Sequence, residues 1–454
     1  MENVVVKNNI YKTKITSFGS SGEGICRING FTVFVFGGVL EDECEVKILK
    51  VNKSYAFGKI VNLIKPSPYR TEPKCEIAEK CGGCQLMHID YAFQLQMKKK
   101  IVSDALERIG GFPCLEVKDV YGMENPYRYR NKMQFPVSSG KEEDVVCGFF
   151  KERTHEIIPI DDCITGPEVS KRIISATKKY MHYAQILPYN EETHTGIVRH
   201  IFVRTGKSGV MVTLVCTKMP KDTDLFVKLI REECPEVSSV FVNINDKRTN
   251  LILGDKFVSL FGSATISDTL DGLVFEISAK SFYQINPKQT EVLYNTAVSF
   301  ADPDENDTVF DLYCGTGTIS LFMARRAKKV IGIEIVEEAI ENARENAKNN
   351  NLTNLNFYAG DAGKTIDYLY ETGEKADIVV FDPPRKGADE LTLSTIIKMS
   401  PKKIVYVSCN PATLARDLKY LAENGGYYPK KVQPVDMFPH TYHVETVALL
   451  EKTK

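Results

Sequence analysis

Cys409 closes a strand-like apolar run, Ile404-Val405-Tyr406-Val407-Ser408, and is followed at once by Asn410 and Pro411. Asparagine is a favoured N-cap and proline a favoured first helical residue, so residues 411–418 read as a helix that begins there. The thiol is then expected where a strand hands over to a helix, facing the positive end of the helix dipole. Such a setting lowers a thiol pKa from about 8.5 and favours the nucleophilic thiolate. A free cysteine is more often buried and inert, so its companions decide. Glu445 follows in Phe438-Pro439-His440-Thr441-Tyr442-His443-Val444-Glu445-Thr446 and opens a last strand-like run, Val447-Ala448-Leu449-Leu450. A thiol and a carboxylate could thus face one cleft from two strand ends, with His443 as the competing base. This pair suits carbon methylation of uracil. Thiolate addition to C6 makes C5 nucleophilic toward a methylsulfonium, and a base then removes the C5 proton so that the thiol can leave.

A methyl donor has its own requirements. Asp311-Leu312-Tyr313-Cys314-Gly315-Thr316-Gly317-Thr318 follows a strand signal, and glycines at a strand-to-helix turn let a ligand approach the backbone. Ser320 stands where a dinucleotide fingerprint has its third glycine, which disfavours a pyrophosphate. Glu334 ends the next strand, where a carboxylate can accept both ribose hydroxyls, and Asp361 follows the third, placed to meet an adenine edge. Together these residues resemble the S-adenosylmethionine site of Rossmann-like methyltransferases. The fourth strand ends in Asp382-Pro383-Pro384-Arg385; enzymes that methylate exocyclic amines carry an aromatic after the prolines, so Arg385 points to a ring carbon instead.

These residues need a scaffold. From 281 onward strand and helix signals alternate, with strands at 309–312, 329–333, 355–358, 378–381 and 404–407, which is the pattern of a doubly wound α/β domain over 281–454. Residues 1–66 carry several short strands separated by turns and read as a small OB-like β-barrel, closed off by Pro66-Ser67-Pro68. Between them, 67–280 gives mixed α+β signals, including a basic helical segment over 91–110 that could pack on the catalytic domain.

Composition bounds the partners. A net charge of -1 argues against a uniformly basic nucleic-acid binder, yet residues 1–70 hold ten Lys/Arg against six acids, so a polyanion should meet the front of the chain first. No apolar core follows a basic N-terminal start and no apolar run spans a bilayer, so twelve cysteines predict reduced thiols, metal ligands or catalysis in the cytoplasm rather than disulfides. Cys75, Cys81 and Cys84, with Cys163 far downstream, could hold either an iron–sulfur cluster or zinc, and spacing alone does not separate the two. In Tyr127-Arg128-Tyr129-Arg130-Asn131-Lys132 aromatic and basic groups alternate, and a strand would place Arg128, Arg130 and Lys132 on one face for RNA. Lys98-Lys99-Lys100 reads as a helix surface.

With these motifs in hand the chain resembles the TRAM-domain RNA uracil-5-methyltransferase family, specifically the 23S ribosomal RNA branch, over nearly all its length. Ser408-Cys409-Asn410-Pro411 is similar to the family's nucleophile motif and His443-Val444-Glu445 to its base motif. The resemblance implies S-adenosylmethionine contacts at Gln284 (within Phe282-Tyr283-Gln284-Ile285-Asn286), Tyr313, Thr318, Glu334, Asp361 and Asp382, and places Phe282 near RNA. It implies a [4Fe–4S] cluster on Cys75, Cys81, Cys84 and Cys163, a TRAM RNA-binding barrel, and a uridine flipped out of a single-stranded loop of 23S ribosomal RNA. No membrane and no obligate protein partner are implied. The transfer RNA branch, which resembles the catalytic part without barrel or cluster, is the nearest alternative; a non-catalytic RNA-binding or remodelling protein is the other, opposed by the presence of both Cys409 and Glu445.

Overall fold

The computed structural model describes residues 5–140, 145–151 and 154–453; the expected domain ends at residues 1–4 and 454 lie outside these. Alternation of apolar and polar residues builds a first sheet from β1 (Ile10–Lys14), β2 (Ser17–Phe18), β3 (Gly24–Ile28), β4 (Phe31–Phe36), β5 (Glu43–Val51) and β6 (Tyr55–Lys65). The order is β1-β5-β6-β4-β3-β2, and Ile15, Cys26, Val33, Val35, Cys44, Val46 and Ile48 make its core. Among the described residues no ladder joins β1 to β2, the two ends of this order, so a closed barrel is not shown; only Ile15 and Thr16 separate them along the chain, and the Thr16 amide donates to the Ile25 carbonyl at 2.9 Å. This sheet joins the rest of the chain through Phe18, Val39 and Leu40, which pack with Leu86, Phe93 and Met97.

Helix α1 (Tyr91–Arg108) follows, capped by Asp90. A second sheet runs β13-β12-β11-β10-β7-β8-β9. Its strands are β7 (Lys132–Ser139), β8 (Val145–Phe150), β9 (Ile157–Pro159), β10 (Val198–Gly206), β11 (Gly209–Cys216), β12 (Val237–Ile244) and β13 (Lys256–Gly262). Helices α2 (Val169–Tyr183) and α3 (Thr223–Glu233) cover one face through Ile173, Phe226 and Ile230. The hairpin β14 (Thr265–Leu270) and β15 (Leu273–Ser278) instead sends Ile266, Phe275 and Ile277 into the core of the next sheet.

That third sheet is the one the strand–helix alternation predicts. It contains β16 (Thr308–Leu312), β17 (Lys329–Glu334), β18 (Leu355–Ala359), β19 (Ile378–Phe381), β20 (Lys403–Ser408), β21 (Tyr427–Val435) and β22 (Glu445–Lys452), in the order β18-β17-β16-β19-β20-β22-β21. The five strands from β16 to β20 are parallel, and β22 and β21 add antiparallel at one edge. Helices α4 (Pro287–Ala301), α5 (Thr318–Ala324), α6 (Glu337–Asn349), α7 (Ala362–Glu371), α8 (Glu390–Met399) and α9 (Pro411–Gly425) flank it. Chain order reverses on either side of β16, which opens a crevice at the carboxyl ends of β16 and β19. Helix α1 buries Val102 and Leu106 in the same core as Leu414 and Leu418 of α9, on one face of this third sheet.

Candidate active site

The crevice is a cavity of ≈ 840 Å³. Its walls include Phe282, Gln284, Tyr313, Glu334, Asp361, Asp382, Arg385, Cys409, His443 and Glu445, so motifs spread over more than 160 residues of sequence meet at one place. Each is set by a local rule. Glu334 ends β17, and its carboxylate is fixed by accepting the backbone N–H groups of Gly315 at 3.2 Å and Val336 at 3.0 Å. Gly317, at φ 77°, occupies the left-handed region that lets the chain turn from β16 into α5. Asp361 is the N-cap of α7, accepting from the Lys364 amide at 3.1 Å, while also lining the cavity.

Thr318 does not itself line the cavity. Its hydroxyl donates to the Tyr294 hydroxyl at 3.2 Å, and Thr316, two residues earlier, lines the cavity in its place. The Gly315-Thr316-Gly317 turn faces the ligand space, whereas position 318 has already entered the helix. Sequence reasoning also missed Ser281, Asn342 and Asp389 on the walls; none carries a motif of its own.

At the other end Cys409 sits between β20 and α9, as the Asn-Pro pair predicts. Asn410 caps α9 by accepting from the Ala412 amide at 3.1 Å and donates its own amide to the Arg385 carbonyl at 3.0 Å. Thr413 adds a second hydrogen bond to that carbonyl, so the turn with the thiol holds the turn with the arginine. The expected fall in thiol pKa is not what this arrangement gives. Burial, reinforced by Glu445 and Asp382, pushes the Cys409 thiol up to about 11, and the Arg385 guanidinium opposes this only in part. Desolvation comes first and the two neighbouring carboxyls add to it, and together they outweigh Arg385 and the backbone at the helix start. Burial, then Asp382, raises Glu445 to about 8, and burial raises Asp382 to about 7. His443 is held down at about 4 by burial, with Arg385, Lys98 and Arg130 adding to it, so it is neutral near pH 7. The group can add a nucleophile, take up a proton and hold a cation.

The segment bearing His443 and Glu445 is tied to α1. Lys98, the first of three consecutive lysines read as surface, is fully buried and donates to Asp436 at 2.5 Å and to the Phe438 carbonyl at 3.1 Å. Tyr91 donates to the second Asp436 oxygen at 2.7 Å. Gln94 accepts from the His440 amide at 3.1 Å and donates to the carbonyls of Leu86 and Ile89.

Cys75, Cys81, Cys84 and Cys163 line a second cavity of ≈ 180 Å³, with Ile77, Met87, Met133, Phe149 and Arg130. Among the described residues no group of three or more His, Cys, Asp and Glu could hold a metal ion. The four thiols border one shared space without being close enough together to hold an ion as they stand. The Tyr127–Lys132 segment is not a strand before Lys132, so the expected one-sided basic face does not form. Arg128 lies at φ 53° and its guanidinium is taken by Asp162 and the Cys163 and Gly166 carbonyls. Arg130 faces the cysteine cavity. Lys132 remains beside the cleft, 5.8 Å from the ring of Phe282, which is 70% exposed.

The family model described as tRNA (Uracil-5-)-methyltransferase matches residues 90–453, and the TRAM domain model matches residues 7–61. An uncharacterized RNA methyltransferase of Clostridium tetani is 50% identical over 98% of this chain and 97% of its own. Another, from Bacillus cereus, is 46% identical over 99% of this chain and 98% of its own. Among solved structures, the tRNA (uracil-54, C5)-methyltransferase of Pyrococcus abyssi in complex with S-adenosyl-L-homocysteine superposes with a TM-score of 0.77 at 28% identity, covering 97% of this chain and 99% of that chain. That last likeness corrects one expectation: a transfer RNA enzyme can match this chain along its whole length, not only over the catalytic part.

Proposed function

Because the chain belongs to the tRNA (uracil-5-)-methyltransferase family and carries an N-terminal TRAM domain, we propose that this RNA methyltransferase methylates C5 of a uridine with Cys409 as nucleophile and Glu445 as base. S-adenosylmethionine, when bound, supplies the electrophilic methyl group. Glu334 and Asp361 suit its ribose and adenine, while Gln284, Tyr313 and Asp382 line the same cavity. The Cys409 thiolate adds to C6 of a flipped-out uracil and forms an S–C6 bond. C5 takes the methyl group, Glu445 takes the C5 proton, and the S–C6 bond breaks to return the thiolate. Phe282 and Lys132, at the mouth of the cleft, are positioned to meet RNA entering it.

The observation that carries this reading is the convergence of Cys409, Glu445 and Asp382 on one cavity wall, close enough for both carboxylates to bear on the thiol. RNA containing 5-fluorouridine tests it, because fluorine cannot leave as a proton. The wild type should form a denaturation-resistant adduct that Cys409→Ala loses, and Glu445→Gln should hold ordinary RNA at the attached stage. Undiminished methylation by Cys409→Ala would overturn the assignment.

We assign the acceptor to 23S ribosomal RNA and the four-cysteine cavity to a [4Fe–4S] cluster, with residues 1–66 gripping RNA, 67–280 carrying the cluster and 281–454 performing transfer in the cytoplasm. The resemblance of Cys75-x5-Cys81-Gly82-Gly83-Cys84 to that branch supports both assignments, and the four thiols border one cavity. Methyl transfer from a sulfonium needs no electrons, so the cluster has a structural or RNA-folding role. A transfer RNA loop is the second reading, favoured by the full-length likeness to the Pyrococcus abyssi enzyme. Among the described residues no helix is long and apolar enough to cross a membrane.

A further inference from the structure

His443 stands beside the proposed base, and its ring has no hydrogen-bond partner. Val444 is buried in the core with Leu414 and Ala448, while the residues on either side of it, His443 and Glu445, line the cavity with Cys409, Asp382 and Arg385. The His443 backbone N–H donates to the Thr441 hydroxyl at 3.2 Å, and that hydroxyl donates to the Phe438 carbonyl at 2.8 Å, the oxygen that Lys98 also holds. The imidazole lies against Tyr442 with ring centroids 4.3 Å apart and meets Phe438 edge to face at 5.9 Å. Backbone and ring packing therefore fix the side chain, yet among the described residues neither ring nitrogen is hydrogen-bonded.

A half-buried histidine with a purely structural role normally commits its N–H to a neighbour. His443 is half-buried but keeps both nitrogens uncommitted on the wall of a ligand cavity. It is neutral near pH 7, so it offers one N–H and one bare nitrogen. The cleft has a use for that N–H. Bonding of the Cys409 sulfur to C6 pushes the C5=C6 pair into C4–C5 and the C4=O4 pair onto O4. That charge exists only until C5 bonds the methyl carbon and the pair returns to C4=O4. A donor at O4 therefore stabilises the reaction path more than the bound base. Cys409, Asp382 and Glu445 cannot serve, since their ionised forms repel an enolate. Arg385 lines the same cavity, with its charge bearing on the Cys409 thiol and the Glu445 carboxyl. C4 is the ring atom next to C5, so the neighbour of a base that reaches the C5 hydrogen is well placed for O4.

We propose that the His443 imidazole donates its N–H to O4 of the target uracil and stabilises the enolate that forms when Cys409 adds to C6. No proton leaves His443: it is a hydrogen-bond donor throughout, and Glu445 takes the C5 proton. Cytosine carries an amino group in place of O4, which offers hydrogens where the imidazole needs an acceptor, so the same contact favours uracil. The proposal rests on the thiolate-addition reading and goes beyond it by giving the intermediate a partner.

In the full-length protein, single-turnover adduct formation on RNA carrying 5-fluorouridine reports the addition step. His443→Phe keeps a ring against Phe438 and Tyr442 but has no donor. It should slow adduct formation by about 10²–10³-fold, with S-adenosylmethionine and RNA affinities within about twofold of wild type. His443→Gln and His443→Asn place an amide N–H near one or the other ring nitrogen, and the better of the two should react within about tenfold of wild type. If His443→Phe loses S-adenosylmethionine binding, and with it an intact cleft, His443→Leu supplies the donor-free comparison. Adduct formation at the wild-type rate in the donor-free variant would overturn the proposal; ordinary RNA left attached in that variant would then make His443 the proton acceptor. Slow reaction in the donor-free and both amide variants would also overturn it and leave His443 a packing residue. Cys409→Ala tests the underlying reading separately: an adduct that persists without that sulfur removes the nucleophile, whereas a slow adduct in His443→Phe leaves it in place.

Discussion

At the scale of residues, the cleft presents a thiol and two carboxylates that are all harder to ionise than in water. A sulfonium is the natural counter-ion for such a group. Asp382 is pushed up to about 7, so a cation should bind more tightly as pH rises through about 7 and this carboxyl loses its proton. S-adenosylhomocysteine, a neutral thioether, lacks that charge, and its affinity should change less over the same range; calorimetric titration of both ligands checks this. In the proposed mechanism Glu445 must be ionised to accept the C5 proton, so turnover should climb through about pH 8, and Glu445→Gln should release no methylated RNA on either side of that pH. Equal pH dependence for the two ligands would show that Asp382 does not sense the charge. The position of Cys409 was legible because Asn410 and Pro411 encode a helix start locally. The direction of its thiol pKa was not, because Glu445 and Asp382 reach it only through the fold. A smaller ambiguity lies in the turn feeding α5: Thr316 lines the cavity while Thr318 donates to Tyr294, and sequence does not say which residue of a glycine-rich turn borders the ligand space.

At the scale of elements, α1 determines where the segment from Asp436 to Glu445 lies. Gln94, Lys98 and Val102 recur every four residues and form its buried stripe with Phe93, Met97 and Leu106. That periodicity was a signal in the sequence that Lys98 points inward, masked by the two lysines that follow it. Those two make surface pairs with Asp119 and Asp104, contacts worth little. Lys98 is different, since both it and Asp436 are removed from water. Lys98→Met leaves the Asp436 carboxylate buried without its cation and should cost about 3–5 kcal/mol in chemical denaturation, whereas Lys99→Met should change stability by less than about 0.5 kcal/mol. Comparable effects of the two would mean that Asp436 finds another partner. The alternation in Tyr127–Lys132 imitates a strand, yet the partner that bends it, Asp162, lies 34 residues downstream, out of reach of any local pattern.

At the scale of the molecule, the alternating strands and helices from 281 onward were legible as a parallel sheet, because strand and helix periods alternate there, whereas the seven-stranded sheet of the middle region was not, because its strands and helices follow no repeat. How the first sheet ends was not legible either, because β1 and β2 are split only at Ile15 and Thr16, where the pairing passes from β5 to β3. Two expectations belong to the whole chain. Protein purified without oxygen should be brown and hold iron, and Cys84→Ser should lose it; a colourless preparation with stoichiometric zinc would refute the cluster. Mapping 5-methyluridine in ribosomal and transfer RNA from cells with and without this protein should show the loss in 23S ribosomal RNA. A loss confined to transfer RNA would establish the second reading.

One side chain joins two of these regions. The Gln94 amide grips the chain just after Cys84, at Leu86 and Ile89, while its oxygen holds His440, and the Leu86 amide itself donates to the His440 carbonyl at 2.9 Å. Residues 84–89 and 436–445 are therefore expected to open and close as one cooperative unit. Amide exchange should show both stretches losing protection together when the thiols are oxidised, so that damage at the sulfur-lined cavity is felt as slack in the strap that carries the proton acceptor.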